Sequence, residues 1–319
     1  MSAPPSPRRI GLGLAAVGRP GYLTLGRDRD LPPGRGVDAM RDRVHELLDA
    51  AWAAGVRHID AARSYGRAEE FLADWLRTRG ELPGLVVSSK WGYTYTADWR
   101  IDAEPHEVKD HSPAAYERQL AQTRQLLGDR LALYQVHSVT PGSPVLVDRA
   151  LQRRLAELAA EGVTVGLSVS GPAQGDAIRA ALALTVDGEP LFRSVQATWN
   201  LLEPSAGAAL AEAHAAGRSV IVKEAVANGR LATPDPDLAR VLSPVADAAG
   251  ASYDALALAA VLHQPWADVV LSGAATTAQL ASNLDAEAVR LTADQLAALA
   301  APAEPPRAYW AHRSAMPWT

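Results

Sequence analysis

The sequence predicts an α/β fold, a (β/α)8 TIM barrel in one domain, on three observations. Strand-like and helix-like apolar patterns alternate along nearly the whole chain, which is the alternation of a parallel sheet covered by helices. Eight strand–helix pairs can be counted, the number that closes into a barrel. The length of 319 residues suits one such barrel.

The first strand is "RRIGLGLAAV". In residues 38–54, Met40, Val44, Leu47, Leu48 and Ala51 share one face at helical spacing. A β-branched run opened by glycine, "GVRHIDAA", follows, and then helix 66–79 with Phe71, Leu72, Trp75 and Leu76 inward. Strand "GLVVSSK" ends at Lys90 and leads to helix 113–127, and strand "LALYQVH" ends at His137 and leads to helix 147–160. "GVTVGLSVS", helix 174–183, "FRSVQATW" and helix 206–216 continue the series. "SVIVKEA" runs into a longer helical stretch across 237–262, and "DVVLSG" with helix 277–287 closes the set. A doubly wound fold requires G-x-G-x-x-G in the first turn and an acidic residue about 20 positions later. Gly11 and Gly13 are present, but the third glycine, Gly18, comes too late. The connections 91–112 and 225–237 have lengths that in barrels are often functional. Residues 1–8 read as a flexible lead, and 301–319 as a tail near the barrel mouth.

Composition narrows the function classes. A net charge of −5 argues against nucleic-acid or anionic-membrane partners, which need a basic surface. The chain has no cysteine, which excludes disulfides and Cys-ligated zinc. The proline-rich start lacks the apolar core of a secretory signal, and no apolar run approaches the roughly 20 residues of a membrane span. The expectation is a cytoplasmic protein. Of 31 basic residues only Lys90, Lys109 and Lys223 are lysine, and the other 28 are arginine. A lysine in such a chain either survives by chance or does what a guanidinium cannot, since its charge is compact and its pKa can move.

Barrel strands end at a common mouth, so Asp60, Tyr65, Lys90 and His137 can converge from distant positions. An aspartate keeps a neighbouring lysine charged, and that ammonium would lower the pKa of an adjacent phenol. A phenol so tuned can exchange a proton with a carbonyl or alcohol oxygen, while the imidazole supplies a further hydrogen bond and a relay. Taken singly, each residue has a structural reading: Asp60 as a helix cap, Tyr65 as a core aromatic, Lys90 as a surface strand end, His137 as a buried imidazole bonded to backbone. Together on three consecutive strands they favour the catalytic reading.

"HIDAARSYG", "VVSSKWG" and "LALYQVHS" resemble the three motifs of the aldo-keto reductase superfamily. The resemblance implies a barrel that moves hydride between NADP(H) or NAD(H) and a carbonyl or alcohol. It makes Tyr65 the general acid/base, tuned by Lys90 and Asp60, with His137 orienting the substrate. Ser168 and Gln196 match the residues that hold the nicotinamide carboxamide, although Val169 stands where the family has asparagine and Trp199 where it has tyrosine. Lys223 falls where the family stacks an aromatic on the nicotinamide; either it turns toward an anion or Glu224 neutralises it. "AVANGRL", with Gly229 and Leu231, resembles the loop over the pyrophosphate. "LSGAATTAQLASN" implies close cofactor approach at Gly273, phosphate near Thr276 and Thr277, and adenine at Gln279 and Asn283. The arginine that often meets the 2′-phosphate is replaced by Ala275, so both cofactors are expected to bind, with NADP only slightly ahead.

The substrate side is read from aromatics. Trp91 and Trp99, with Tyr93, Tyr95, Trp310 and Trp318, either line a sizeable, partly apolar pocket or pack the loop shut. His106, Glu107, Asp110 and His111 lack the regular spacing of metal ligands, so no metal is expected. Lys109 and Arg100 read as substrate-anion contacts or plain surface charges. Two other function classes stay open at this point: a cofactor-binding redox sensor without turnover, and a non-redox barrel isomerase or lyase.

Overall fold

Eight short, largely apolar runs form parallel strands: β1 (Ile10–Gly13), β2 (His58–Asp60), β3 (Val86–Trp91), β4 (Leu131–Val139), β5 (Thr164–Val169), β6 (Ser194–Thr198), β7 (Ser219–Lys223) and β8 (Val269–Ser272). They close into a barrel in the order β1–β8–β7–β6–β5–β4–β3–β2, as expected from the alternation. The computed structural model describes residues 8–319. Of the flexible lead expected at 1–8, all but Arg8 therefore lies outside the described residues. Arg8 itself is fixed, donating to Ala54 O and Glu287.

The amphipathic segments surround the barrel as α1 (Val37–Ala53), α2 (Ala68–Thr78), α3 (Pro113–Leu127), α4 (Arg149–Ala160), α5 (Gln174–Leu182), α6 (Gly207–Ala215), α7 (Pro236–Ala249), α8 (Tyr253–Leu262) and α9 (Thr277–Asp285). Local chemistry sets several starts. Ser112, Asp148, Asp235, Ser252 and Thr276 each accept from a backbone N–H of the first turn, and proline opens α3 and α7.

The elements depart from the sequence pattern in several places. The first strand stops at Gly13, where Leu14 O accepts from Val17 N and Gly18 N and turns the chain. The stretch 237–262 is two helices meeting at 80°, because Gly250 ends α7 at φ 60° and Ser252 caps a new start. Apart from that bent pair, no single helix among the described residues is long and apolar enough to cross a membrane. The 91–112 connection carries an antiparallel hairpin, Tyr93–Tyr95 with Glu107–Lys109. Two further helices, α10 (Ala293–Ala298) and α11 (Pro306–Ala315), follow α9.

Side chains alternate across each strand, so β4 sends Leu133, Gln135 and His137 into the barrel, and β7 sends Ile221 and Lys223. Leu133, Ile221 and Leu271 form a small apolar cluster separate from the large core between sheet and helices. Polar side chains lie toward the strand ends beyond it. The barrel is thus a filled interior with an apolar floor and a charged mouth.

Two glycines fix the loop that carries Tyr65. Gly66 has φ 60°, and a Cβ on it would sit 2.5 Å from Gly18 O and 2.7 Å from Arg19 Cβ. This contact lets Arg67 N donate to Gly18 O at 2.8 Å, which joins the β2–α2 loop to the β1–α1 loop. Gly66→Ala is predicted to lower unfolding free energy by about 2–4 kcal/mol in urea denaturation, from left-handed strain plus overpacking. A loss under about 0.5 kcal/mol, the range of neutral surface changes, would contradict the close approach.

Candidate active site

The site grows from one carboxylate. Asp60 ends β2, and the strand's pairing continues past it: Ala61 N donates to Ser88 O at 2.9 Å and Arg63 N to Lys90 O at 3.0 Å. Asp60 Oδ2 pairs with Lys90, and Oδ1 accepts from Ser88 Oγ at 2.8 Å, Gln196 Nε2 at 3.1 Å and Gln135 Nε2 at 3.3 Å. Strands β3, β4 and β6 therefore all grip the carboxylate that β2 supplies. Lys90 Nζ also donates to Ala61 O at 2.9 Å and to Tyr65 Oη at 3.2 Å. Both members of the ion pair are buried, at 0 % and 2 % exposure. Such a pair persists only when its remaining hydrogen-bonding positions are satisfied, and here they are.

His137 stands beside the phenol, its ring centroid 5.6 Å from that of Tyr65 at an 80° interplanar angle. Its Nδ1 is buried and without a partner among the described residues. Burial, with the charges of Lys90, Lys223 and Arg19, pushes its pKa well below the usual imidazole value, so the ring is neutral. The four residues expected to converge do converge.

One expectation is corrected. The phenol of Tyr65 is not lowered by Lys90; burial, then the charge of Asp60, pushes its pKa well above the ordinary value, with Arg19 opposing. The reason is that Lys90 comes with its counter-ion, so the phenol faces a nearly neutral pair inside a desolvated pocket. Burial also lowers the pKa of Lys90, against the pull of Asp60.

The cofactor strip divides. Gln196 is wholly buried, and its Oε1 has no partner among the described residues, leaving an acceptor able to take an amide N–H. Ser168 Oγ accepts from Ser138 N at 2.9 Å, and its own hydrogen has no acceptor among the described residues. This pair of groups fits a nicotinamide carboxamide. Gly273 is exposed, with nothing within 4 Å of where a Cβ would point, so a ligand can reach its backbone. Thr276 caps α9 by accepting from Gln279 N at 3.1 Å, Thr277 is its first residue, and Gln279 Oε1 accepts from Ala275 N at 2.9 Å. Arg43, from α1, donates to Ala275 O at 2.9 Å and so brings a guanidinium to the place where the sequence shows alanine.

Asn283 and Leu231 do not meet expectation. Asn283 is buried with both ends of its amide engaged, accepting from Ser272 Oγ at 2.6 Å and donating to Asp254 at 2.7 Å. Leu231 is fully buried and its N–H is spent on Val226 O. Both residues support the strip from below rather than presenting a surface. Gly229 packs against Leu25, and Asn228 donates to Leu23 O at 2.7 Å, which ties this loop to the one after β1.

Lys223 and Glu224 belong to a network at the end of β7. Lys223 Nζ donates to Thr198 Oγ1 at 2.7 Å, and Thr198 donates to Glu224 Oε2 at 3.0 Å. Arg313 of α11 pairs with Glu224, and Asn200 Nδ2 donates to Tyr309 Oη at 3.0 Å. Burial brings Lys223 down from 10.5 to about 8, with Glu224 opposing and Arg313 and Lys90 adding. Burial raises Glu224, but Arg313 and Lys223 outweigh it and hold the carboxyl at about 2.

The two tryptophans assigned to the substrate do not reach the phenol. Lys90 points inward, so alternation turns Trp91 out; it is fully buried, with its ring 5.1 Å from Tyr116 of α3 and 5.8 Å from His111. Trp99 Nε1 donates to Arg35 O at 2.8 Å, and its ring meets Phe71. Tyr93 takes the place beside the site, its ring 5.0 Å from His137. Arg19 lies over the Tyr65 ring at 5.3 Å and pairs with Glu107 at 2.8 Å. The end of the chain covers this side: Tyr22 N donates to Thr319 O and Thr319 N to Tyr22 O, each at 3.2 Å, while Trp318 stacks on His106 at 4.1 Å. Sequence reasoning missed Ser88 and Gln135, whereas Tyr93 was among the aromatics it read on the substrate side. The signal for the first two is their position two residues before Lys90 and His137 on the same strand face.

The comparisons agree on the family and the fold. The model of the aldo/keto reductase family matches residues 10–304. An aldo-keto reductase of Strobilurus tenacellus is 25% identical over 325 residues, covering 92% of this chain and 90% of that protein. A norsolorinic acid reductase of Emericella nidulans is 26% identical over 285 residues, covering 81% of this chain and 71% of that one. Among solved structures, the holo form of an aldo-keto reductase from Bacillus halodurans has a TM-score of 0.70 at 21% identity, covering 93% and 92% of the two chains. The fold, the converged Asp60, Tyr65, Lys90 and His137, and a family match across nearly the whole length together place this chain in the aldo/keto reductase family.

Proposed function

We propose that this protein uses NADP(H) or NAD(H) to interconvert a small carbonyl compound and its alcohol, with Tyr65 as the proton donor. The observation that carries the reading is the contact of Tyr65 Oη with Lys90 Nζ, 3.2 Å apart, over the Lys90–Asp60 pair and beside His137. When bound, the nicotinamide supplies the hydride that adds to the carbonyl carbon. Tyr65 gives its proton to the carbonyl oxygen as that bond forms, and Lys90 stabilises the charge left on the phenolic oxygen. Neutral His137 helps hold the carbonyl oxygen. The raised pKa of Tyr65 keeps the phenol protonated at neutral pH, which suits the reductive direction.

Ser168 and Gln196 hold the carboxamide, and Gly273 leaves room at the backbone. Thr276, Thr277 and Gln279 line the phosphate and adenine end, with Lys223, Glu224 and Gly229 along the β7 side. Tyr93 lines the substrate side, where Trp91 and Trp99 act only through packing.

Three outcomes test the reading. Tyr65→Phe is predicted to lower kcat by about 10²–10⁴ while dinucleotide affinity, read by fluorescence, stays near wild type; full turnover in that variant removes Tyr65 from the mechanism. Because burial and the neighbouring cations keep His137 neutral, the reductive rate is predicted to show no inflection at the ordinary imidazole value of about 6.5. Titration with both reduced cofactors is predicted to show binding of each, NADPH ahead, and Arg43→Ala to narrow the gap. An unchanged NADPH/NADH ratio in that variant would exclude Arg43 from 2′-phosphate recognition.

A further inference from the structure

The arginine-rich composition sharpens when the lysines are placed. All three lysines of the chain, Lys90, Lys109 and Lys223, lie at the barrel mouth. Ion pairs elsewhere among the described residues are made by arginine, apart from one histidine contact. Five cations surround the site: Arg19, Lys90, Lys109, Lys223 and Arg313. The carboxylates there are taken by specific partners, Asp60 by Lys90, Glu107 by Arg19 and Glu224 by Arg313.

Lys109 and Lys223 form no ion pair among the described residues and bond only to neutral oxygens. Lys223 Nζ donates to Thr198 Oγ1, and its nearest carboxylate, Glu224, has its oxygens occupied by Arg313 and Thr198. Lys109 Nζ donates to Ser138 O at 2.7 Å and lies 6.0 Å from the Tyr93 ring centroid, next to His137. Its chain neighbour Asp110 is turned to Ser112 N at 2.9 Å. Two ammonium groups that form no ion pair among the described residues, one at the end of β7 and one on the hairpin beside Tyr93, form a field that one anionic group would complete.

We propose that the carbonyl substrate carries a carboxylate, received by Lys223 and Lys109 while its carbonyl meets Tyr65. This rests on the oxidoreductase reading above. A half-buried ammonium selects a carboxylate over a neutral isostere strongly, because the ester or amide leaves the charge unpaired. Lys109 is exposed and acts mainly on encounter, so its share weakens with salt.

The test compares 4-carboxybenzaldehyde with methyl 4-formylbenzoate, with kcat/KM for each and dinucleotide Kd by fluorescence. The ester is the intrinsically more electrophilic aldehyde, so a preference for the acid comes from the protein. The wild-type acid/ester ratio is predicted to exceed about 10, corresponding to about 1.4 kcal/mol, and to collapse about tenfold in Lys223→Met. In Lys109→Met the ratio is predicted to fall about two- to fivefold, with the difference vanishing at high salt. The ratio should also decline as pH rises through about 8, where Lys223, facing Glu224, Arg313, Lys90 and Asp60, gives up its proton. Three results overturn the proposal. Equal use of acid and ester leaves the oxidoreductase reading standing without it. A weakened dinucleotide Kd in Lys223→Met with an unchanged ratio assigns that lysine to a cofactor phosphate. Absence of turnover with either aldehyde under both cofactors overturns this inference and leaves the oxidoreductase reading to the cofactor titration.

Discussion

The buried ion pair between Asp60 and Lys90 is the constraint on which the mouth of the barrel depends. Burying two charges is favourable only when each finds further partners, and losing one partner of such a pair costs about 3–5 kcal/mol. Ser88, Gln135 and Gln196 are present on β3, β4 and β6 to complete the shell of Asp60. Lys90 completes its own with Ala61 O and Tyr65 Oη. One consequence is mechanical: four strands are pinned to a common point at the open end. The other is chemical, because the phenol is held against a pair that is nearly neutral from a distance and cationic at contact.

That distinction explains why the direction of the Tyr65 shift opposes the usual argument from a neighbouring lysine. At rest the phenol feels desolvation and Asp60 more than Lys90 and keeps its proton. In the proposed reaction, charge develops as the proton leaves on the one phenol atom that touches the ammonium, and stabilisation is largest there. A site built this way spends its electrostatics on the transferring proton rather than on a standing phenolate.

Much of the fold was legible because eight alternations admit few topologies, and the convergence of Asp60, Tyr65, Lys90 and His137 was legible because strand ends in a barrel point the same way. The misreadings have local causes. Trp91 was assigned to the pocket by composition, although a period of two from Lys90 turns it outward; Gly92, at φ 110°, then swings the chain so that Tyr93 returns to the site. The break between α7 and α8 was written in Gly250 and Ser252 but masked by an alanine-rich run that reads as continuous helix. Arg43 reaching Ala275, and Asn283 spent on Ser272 and Asp254, depend on pairings between distant segments that no local pattern encodes. The rise in the pKa of Tyr65 depends on burial and on the position of Asp60, which a motif does not show.

The central claim concerns the protonation state of a single hydroxyl, and it can be read directly. Tyrosine labelled at the ring carbon bearing oxygen, with the Tyr65 resonance assigned by its loss in Tyr65→Phe, reports phenol and phenolate separately by NMR. The account predicts that in the cofactor-free protein Tyr65 remains a phenol through the ordinary tyrosine value of about 10. A phenolate forming near neutral pH would contradict it.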